Sequence, residues 1–210
     1  MAQLGVYGAI TKIAVVMMLF TQMYRLAAEP FFLADYRKSD FVAMNAAAMK
    51  YYVMASMFIF LGIALFKDLF SLIVGADFRE GIFILPVVLG ANVLSGVWLN
   101  LSFWYKREER TQLAVWVTFT GLFFTVVMNV AWARLASEAA MVGVSYWLNR
   151  RYYPTPYDLR RIGEYVALGL GVFFASAVFA RWLPVRGAEY AVNGVLFGLF
   201  GLFAVRREHI

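Results

Sequence analysis

Apolar runs long enough to cross a bilayer follow one another along almost the whole chain, and most charged residues fall in the short gaps between them. A helix that spans the hydrocarbon core needs about 20 apolar residues. The runs occupy residues 6–28, 41–74, 81–105, 113–148, 162–183 and 190–205. None shows the two-residue alternation of a barrel strand, so a transmembrane β-barrel is rejected. Composition agrees: 63% of the 210 residues are hydrophobic and 15% charged, with a mean hydropathy of +0.70. A soluble domain of this size has nowhere to put that much apolar surface, whereas lipid accepts it. The expected fold is all-α, a polytopic transmembrane helix bundle of about seven spans.

Breaks between the runs have recognisable causes. Pro30 lacks a backbone donor and disfavours helix at Glu29, so a stop or kink is expected there. The run 41–74 exceeds one span; its first turns, up to Lys50, are expected at the interface, and Gly75-Ala76-Asp77 ends it. Residues 113–148 are too many for one span and barely enough for two. Two short spans, 113–132 and 135–148, with a tight break near Arg134, are expected; one long bent helix is the alternative. Pro154 and Pro156 keep the following loop open, and Asp158 suits a helix N-cap.

The net charge of +6 sits in those gaps and reads as a topology signal rather than a nucleic-acid footprint. Arg37, Lys38, Lys106, Arg107, Arg110, Arg150, Arg151, Arg160, Arg161, Arg206 and Arg207 would share one side. Lys67, Arg79, Arg134, Arg181 and Arg186 would share the other. The richer side is assigned to the cytoplasm, which places the C-terminus inside and the N-terminus outside. No cleavable signal peptide is expected, because no basic segment precedes the first run. Cysteine is absent and His209 is the one histidine. No thiolate chemistry, metal site, cofactor or catalytic constellation is expected, and the chain does not read as an enzyme.

Three separated stretches resemble a known family. They are Tyr7-Gly8-Ala9-Ile10-Thr11-Lys12-Ile13-Ala14 with Phe20 to Phe32, Leu85-Pro86-Val87-Val88-Leu89-Gly90-Ala91-Asn92 with Asn100 to Lys106, and Tyr152-Tyr153-Pro154-Thr155-Pro156-Tyr157-Asp158-Leu159-Arg160-Arg161-Ile162. In order along the chain, they resemble bacterial lipopolysaccharide and polysaccharide (O-antigen-type) flippases. These belong to the multidrug/oligosaccharidyl-lipid/polysaccharide exporter superfamily. The resemblance implies residues 1–150 as a partial C-terminal lobe of a two-lobe flippase, with about five spans. Residues 151–210 would be a cytoplasmic loop and two additional C-terminal helices. It further implies an inner-membrane location and a polyprenyl-linked oligosaccharide as partner. The first lobe would come from a separate chain, and transport by this chain alone is not expected. A proline-containing turn of the family is missing after Asn129. A drug/cation antiporter of the same superfamily and a remnant of a truncated gene are the alternatives.

Few residues could contact such a substrate. Lys12 lies two turns into the first span and would meet an anionic diphosphate, or else snorkel to the interface. Arg25 and Glu29 are four apart on one helix face: a cytoplasmic gate or anion contact, or an interfacial ion pair of little consequence. Asn92, Gly96 and Asn100 form a stripe that would either bond sugar hydroxyls or pack helices together. Gly194 and Gly198 would mark close packing with a neighbouring helix or a second copy.

Overall fold

The computed structural model describes residues 2–34, 38–71, 81–128, 130–182 and 186–208. Helix α1 (Ala2–Leu33) leads to α2 (Lys38–Leu65) and the short α3 (Lys67–Ser71). A single 3₁₀ turn at residues 81–84 opens α4 (Leu85–Arg107), followed by α5 (Thr111–Val127), α6 (Val130–Tyr152), α7 (Leu159–Trp182) and α8 (Arg186–Glu208). No strand occurs among the described residues. Helices α1, α2, α4, α7 and α8 are long and apolar enough to cross a membrane, so the chain is an all-α membrane helix bundle.

Helix α4 is the hub, packed against α1, α2, α5 and α6. Residues 51–65 of α2 carry no charge and are apolar nearly all round, and 56% of the span of α2 is buried, against 22% in α1 and α7 and 17% in α8. An all-round apolar helix belongs inside a bundle. The α7–α8 pair is attached mainly through α2.

Several expected boundaries move. Helix α1 runs through Pro30 to Leu33 rather than stopping before it. The missing donor of Pro30 costs little near the exposed end of a helix anchored by Phe32, which stacks on Phe103 at 5.0 Å. The break in residues 113–148 exists but comes earlier, at Met128, whose extended backbone ends α5. Arg134 and Glu138 therefore stand inside α6 and not at a turn. Gly121 explains the closeness of this pair: a Cβ there would lie 2.8 Å from Ser137 and Met141 of α6. The Gly75-Ala76-Asp77 break, Arg37, Arg79 and His209 lie outside the described residues. Beyond the backbone of their own helix, Gly194 and Gly198 have no described atom within 4 Å of where a Cβ would stand. The expected packing with a neighbouring helix is thus not made among the described residues.

One end of the bundle gathers the basic residues. The turn after α4 is a six-to-one helix stop, with Arg110 N–H donating to the Tyr105 carbonyl (2.8 Å). Glu109 takes the left-handed position at φ 56°. Phe41 and Trp104 pack on Tyr153, both with ring centres at 5.8 Å, which fixes the segment before α7. Asp158 caps α7 as expected, accepting the Arg161 N–H at 3.1 Å. Lys50 pairs with Glu208, whose carboxylate also receives Tyr165 OH (2.7 Å) and Arg161 (3.3 Å). The Glu208 side chain is only 3% exposed. This cluster binds α2, α7 and α8 at one level. About 18 Å of α2, from Lys38 to Lys50, extends beyond it.

Removing one member of a buried ion pair strands its partner. Glu208→Gln and Lys50→Met are each expected to lower the thermal unfolding midpoint in detergent. The double variant should lose less than the sum, with a coupling of about 1–3 kcal/mol. Strict additivity, read by tryptophan fluorescence during melting, would show that the pair does not hold α8 to α2.

Candidate functional site

The sequence-derived residues separate into two environments. Asn92 and Asn100 are buried in the seam between α4 and its neighbours (4% and 0% exposed). Asn92 Nδ2 donates to the Val88 carbonyl (3.1 Å), and its Oδ1 accepts from Arg134 of α6 (2.9 Å). The Asn92 carbonyl accepts from Tyr52 OH (3.3 Å), which also lies 3.0 Å from Thr21 Oγ1. One chain of polar contacts thereby crosses α1, α2, α4 and α6. Glu138, one turn beyond Arg134, is half-buried and bonds Ser95 of α4. Asn100 Nδ2 donates to Tyr24 OH of α1 (2.8 Å) and to the Asn45 carbonyl of α2 (3.4 Å). Asn45 Nδ2 in turn donates to Tyr157 OH (3.0 Å) in the segment before α7. Burial pushes the Tyr157 phenol well above the ordinary tyrosine range, so it keeps its proton at physiological pH.

Gly96 belongs to the same stripe for a steric reason. A Cβ there would stand 1.9 Å from the Tyr52 hydroxyl oxygen. The Tyr52 ring fits against bare backbone, with Tyr24 at 4.7 Å and Phe20 at 5.6 Å between ring centres. The stripe Asn92, Gly96 and Asn100 is thus occupied by interhelical contacts.

Lys12, Arg25 and Glu29 lie on α1 in a different setting. Lys12 is exposed and meets no carboxylate among the described residues. Gln22 is exposed as well. Arg25 reaches Glu29 at 3.3 Å with half of its side chain still open. Glu29 is held more closely by Lys106 of α4, at 2.6 Å. The i,i+4 pair visible in the sequence is therefore one half of a bridge between α1 and α4, and Arg25 is its outer member. Two shallow surface depressions lie on α8, one beside Leu199, Leu202 and Phe203 and one beside Phe179 and Val195. None of the five sequence-derived residues lines them.

Sequence reasoning did not single out Tyr24, Asn45, Tyr52 or Tyr157. Each is polar within or beside an apolar run, which was the available signal, but each partner lies tens of residues away. No group of histidine, cysteine or acidic residues with a metal-holding arrangement occurs among the described residues. No protein-family model, curated protein or solved structure matches the chain.

Close approach at Gly96 gives a two-sided expectation. Gly96→Ala should displace Tyr52 and cost about 1–3 kcal/mol of stability. Gly143→Ala, where a Cβ meets nothing within 4 Å, should be neutral or slightly stabilising, because alanine is the better helix former. Melting of the two variants in the same detergent checks the difference; equal midpoints would contradict the fit of Tyr52 against α4.

Proposed function

We propose that the chain is most of one lobe of a flippase for lipid-linked oligosaccharides, seated in a bacterial inner membrane with α5 and α6 completing seven spans. The basic end would face the cytoplasm under the positive-inside rule, leaving the N-terminus in the periplasm.

The observation that carries this reading is the outer face of α1. Large apolar side chains are exposed on α5 (Trp116, Phe119, Leu122 and Phe123), on α7 (Phe174 and Val178) and on α8 (Val195 and Leu199). Those faces suit lipid. Helix α1 exposes Val16, Leu19, Met23 and Leu26 as well, but adds Lys12, Gln22 and Arg25 within the same apolar span. An ionised side chain facing hydrocarbon is expensive, and such residues turn toward a cavity or a partner. Arg134 and Glu138 obey that rule by turning into the bundle. Lys12, Gln22 and Arg25 turn away from it, so the surface they occupy fits the wall of a water-filled cleft whose other side a second lobe supplies. Alternating access needs two such lobes moving against each other.

In that cleft Lys12 and Arg25 would meet the diphosphate or an acidic sugar, while the polyprenyl tail stays in lipid. Glu29, fixed by Lys106, would hold Arg25 in place. Asn92 and Asn100 would then support the wall from behind instead of touching substrate. Glu138 gives one observation in favour of a cation antiporter of the same superfamily, since one of its buried carboxylate oxygens has no hydrogen-bond partner.

The absence of cysteine makes single-cysteine labelling direct. In native membranes, where any second lobe is present, Gln22→Cys should react with a charged, membrane-impermeant thiol reagent and Phe119→Cys should not. A thiolate forms only where water reaches. If both positions stay inert, α1 faces lipid and the flippase reading falls. Purified chain in liposomes is expected to translocate no labelled polyprenyl-diphosphate oligosaccharide; measurable flipping would show that no second lobe is needed.

A further inference from the structure

The basic end carries two kinds of arginine. Arg160, Arg161 and Arg207 are neutralised within the fold by Glu164, Asp158 and Glu208. Arg110, Arg150 and Arg151 have no carboxylate partner among the described residues and are exposed. Two of these three stack on aromatic rings that are themselves exposed. The Arg151 guanidinium lies 5.6 Å from the ring centres of Trp147 and of Tyr152. The Arg110 guanidinium lies 5.7 Å from the ring of Tyr152. Trp147 is 56% exposed and Tyr152 47%.

This placement joins the start of α5 to the end of α6. Tyr152 stands between two cations that contact the same ring and make no salt bridge among the described residues, although the exposed Glu108 and Glu109 immediately precede Arg110. Both guanidinium groups therefore lie within reach of one anion of phosphodiester size. Stacking orients a guanidinium and leaves its N–H edge free to bond oxygen. Below the charges, the exposed side of α5 is hydrocarbon-like, with Val115, Trp116, Phe119 and Phe123. On α6 the exposed Ala139 and Gly143 precede Trp147 at four-residue spacing, which leaves a low, smooth surface under the tryptophan. Cations above, amphipathic rings at the boundary and an apolar wall beneath match a molecule with an anionic head and hydrocarbon tails.

We propose that Arg110, Arg151, Tyr152 and Trp147 form a binding site for the phosphate headgroup of an anionic membrane phospholipid, with its acyl chains lying along α5. The site does not depend on the transport reading, since it is far from the Lys12–Arg25 face of α1 in the helix order and uses none of its residues.

Native mass spectrometry of the detergent-purified chain tests it, with phosphatidylglycerol and phosphatidylcholine as competing probes. Wild-type chain should retain phosphatidylglycerol in preference to phosphatidylcholine. The preference should fall about five-fold for each of Arg110→Gln and Arg151→Gln. Arg160→Gln, which removes an arginine already paired with Glu164, should leave it unchanged. An Arg110→Lys/Arg151→Lys variant, which keeps charge without stacking, should retain part of the preference and guards against loss of fold in the glutamine variants. Excess inorganic phosphate should not displace the lipid. Three results would overturn the proposal: no headgroup preference in the wild type, an equal loss in Arg160→Gln, or full displacement by free phosphate. The second would mean a diffuse charged belt, and the third a simple anion site.

Discussion

Hydrocarbon offers no hydrogen bonds, and that single constraint orders this bundle. A polar side chain on a membrane helix is costly unless a carbonyl of its own helix answers it, as for Ser102 and Thr118, or another helix or water does. Helix α4 supplies most of the answers. The Asn92 side chain takes the Arg134 guanidinium, the Asn92 carbonyl takes the Tyr52 hydroxyl, and Asn100 bridges Tyr24 and the α2 backbone. Helices α1, α2 and α6 are thereby tied to one central rod through directional contacts. Burial against hydrocarbon alone would leave their rotation about their own axes free. With lipid on both sides of the comparison, packing and polar pairing carry the specificity.

The same rule gives meaning to exceptions. A lysine beside no acid, on an otherwise apolar helix, is costly in lipid and inexpensive in water. Lys12 and Gln22 point out of the bundle, whereas the equally polar Asn92 and Asn45 point in. The difference lies between faces of the fold and not in the residues. It is the outward placement of Lys12 and Gln22 on α1 that connects a static bundle to the idea of a cleft shared with a second lobe.

How much of this could be read beforehand depended on range. Helix existence was legible because an apolar run of bilayer length has one stable backbone solution in lipid. The Asp158 cap was legible because a cap is settled within three residues. The end of α1 was misplaced because the weight given to Pro30 ignored Phe32, whose contact with Phe103 holds the last turn. The α5–α6 break was displaced because no glycine or proline marks Met128; the tight fit of Gly121 against Ser137 and Met141 became visible only in three dimensions. The stripe Asn92, Gly96 and Asn100 was plain from its spacing, but the choice between sugar and packing rested on Tyr24, Tyr52 and Arg134. Periodicity names a face and says nothing about what stands opposite.

The pairing of Lys50 with Glu208 spans 158 positions of sequence, and this separation has a consequence for biogenesis. Lys50 lies in α2 and its partner Glu208 at the end of α8, so the lysine is synthesised well before the carboxylate. Until α8 emerges, α2 presents an ammonium group without the carboxylate that pairs it in the folded bundle. Its early depth in the bilayer is then provisional, held by whatever water or lipid phosphate can reach that lysine. Arrival of α8 ends the arrangement, so a helix made later seats one made six elements before it.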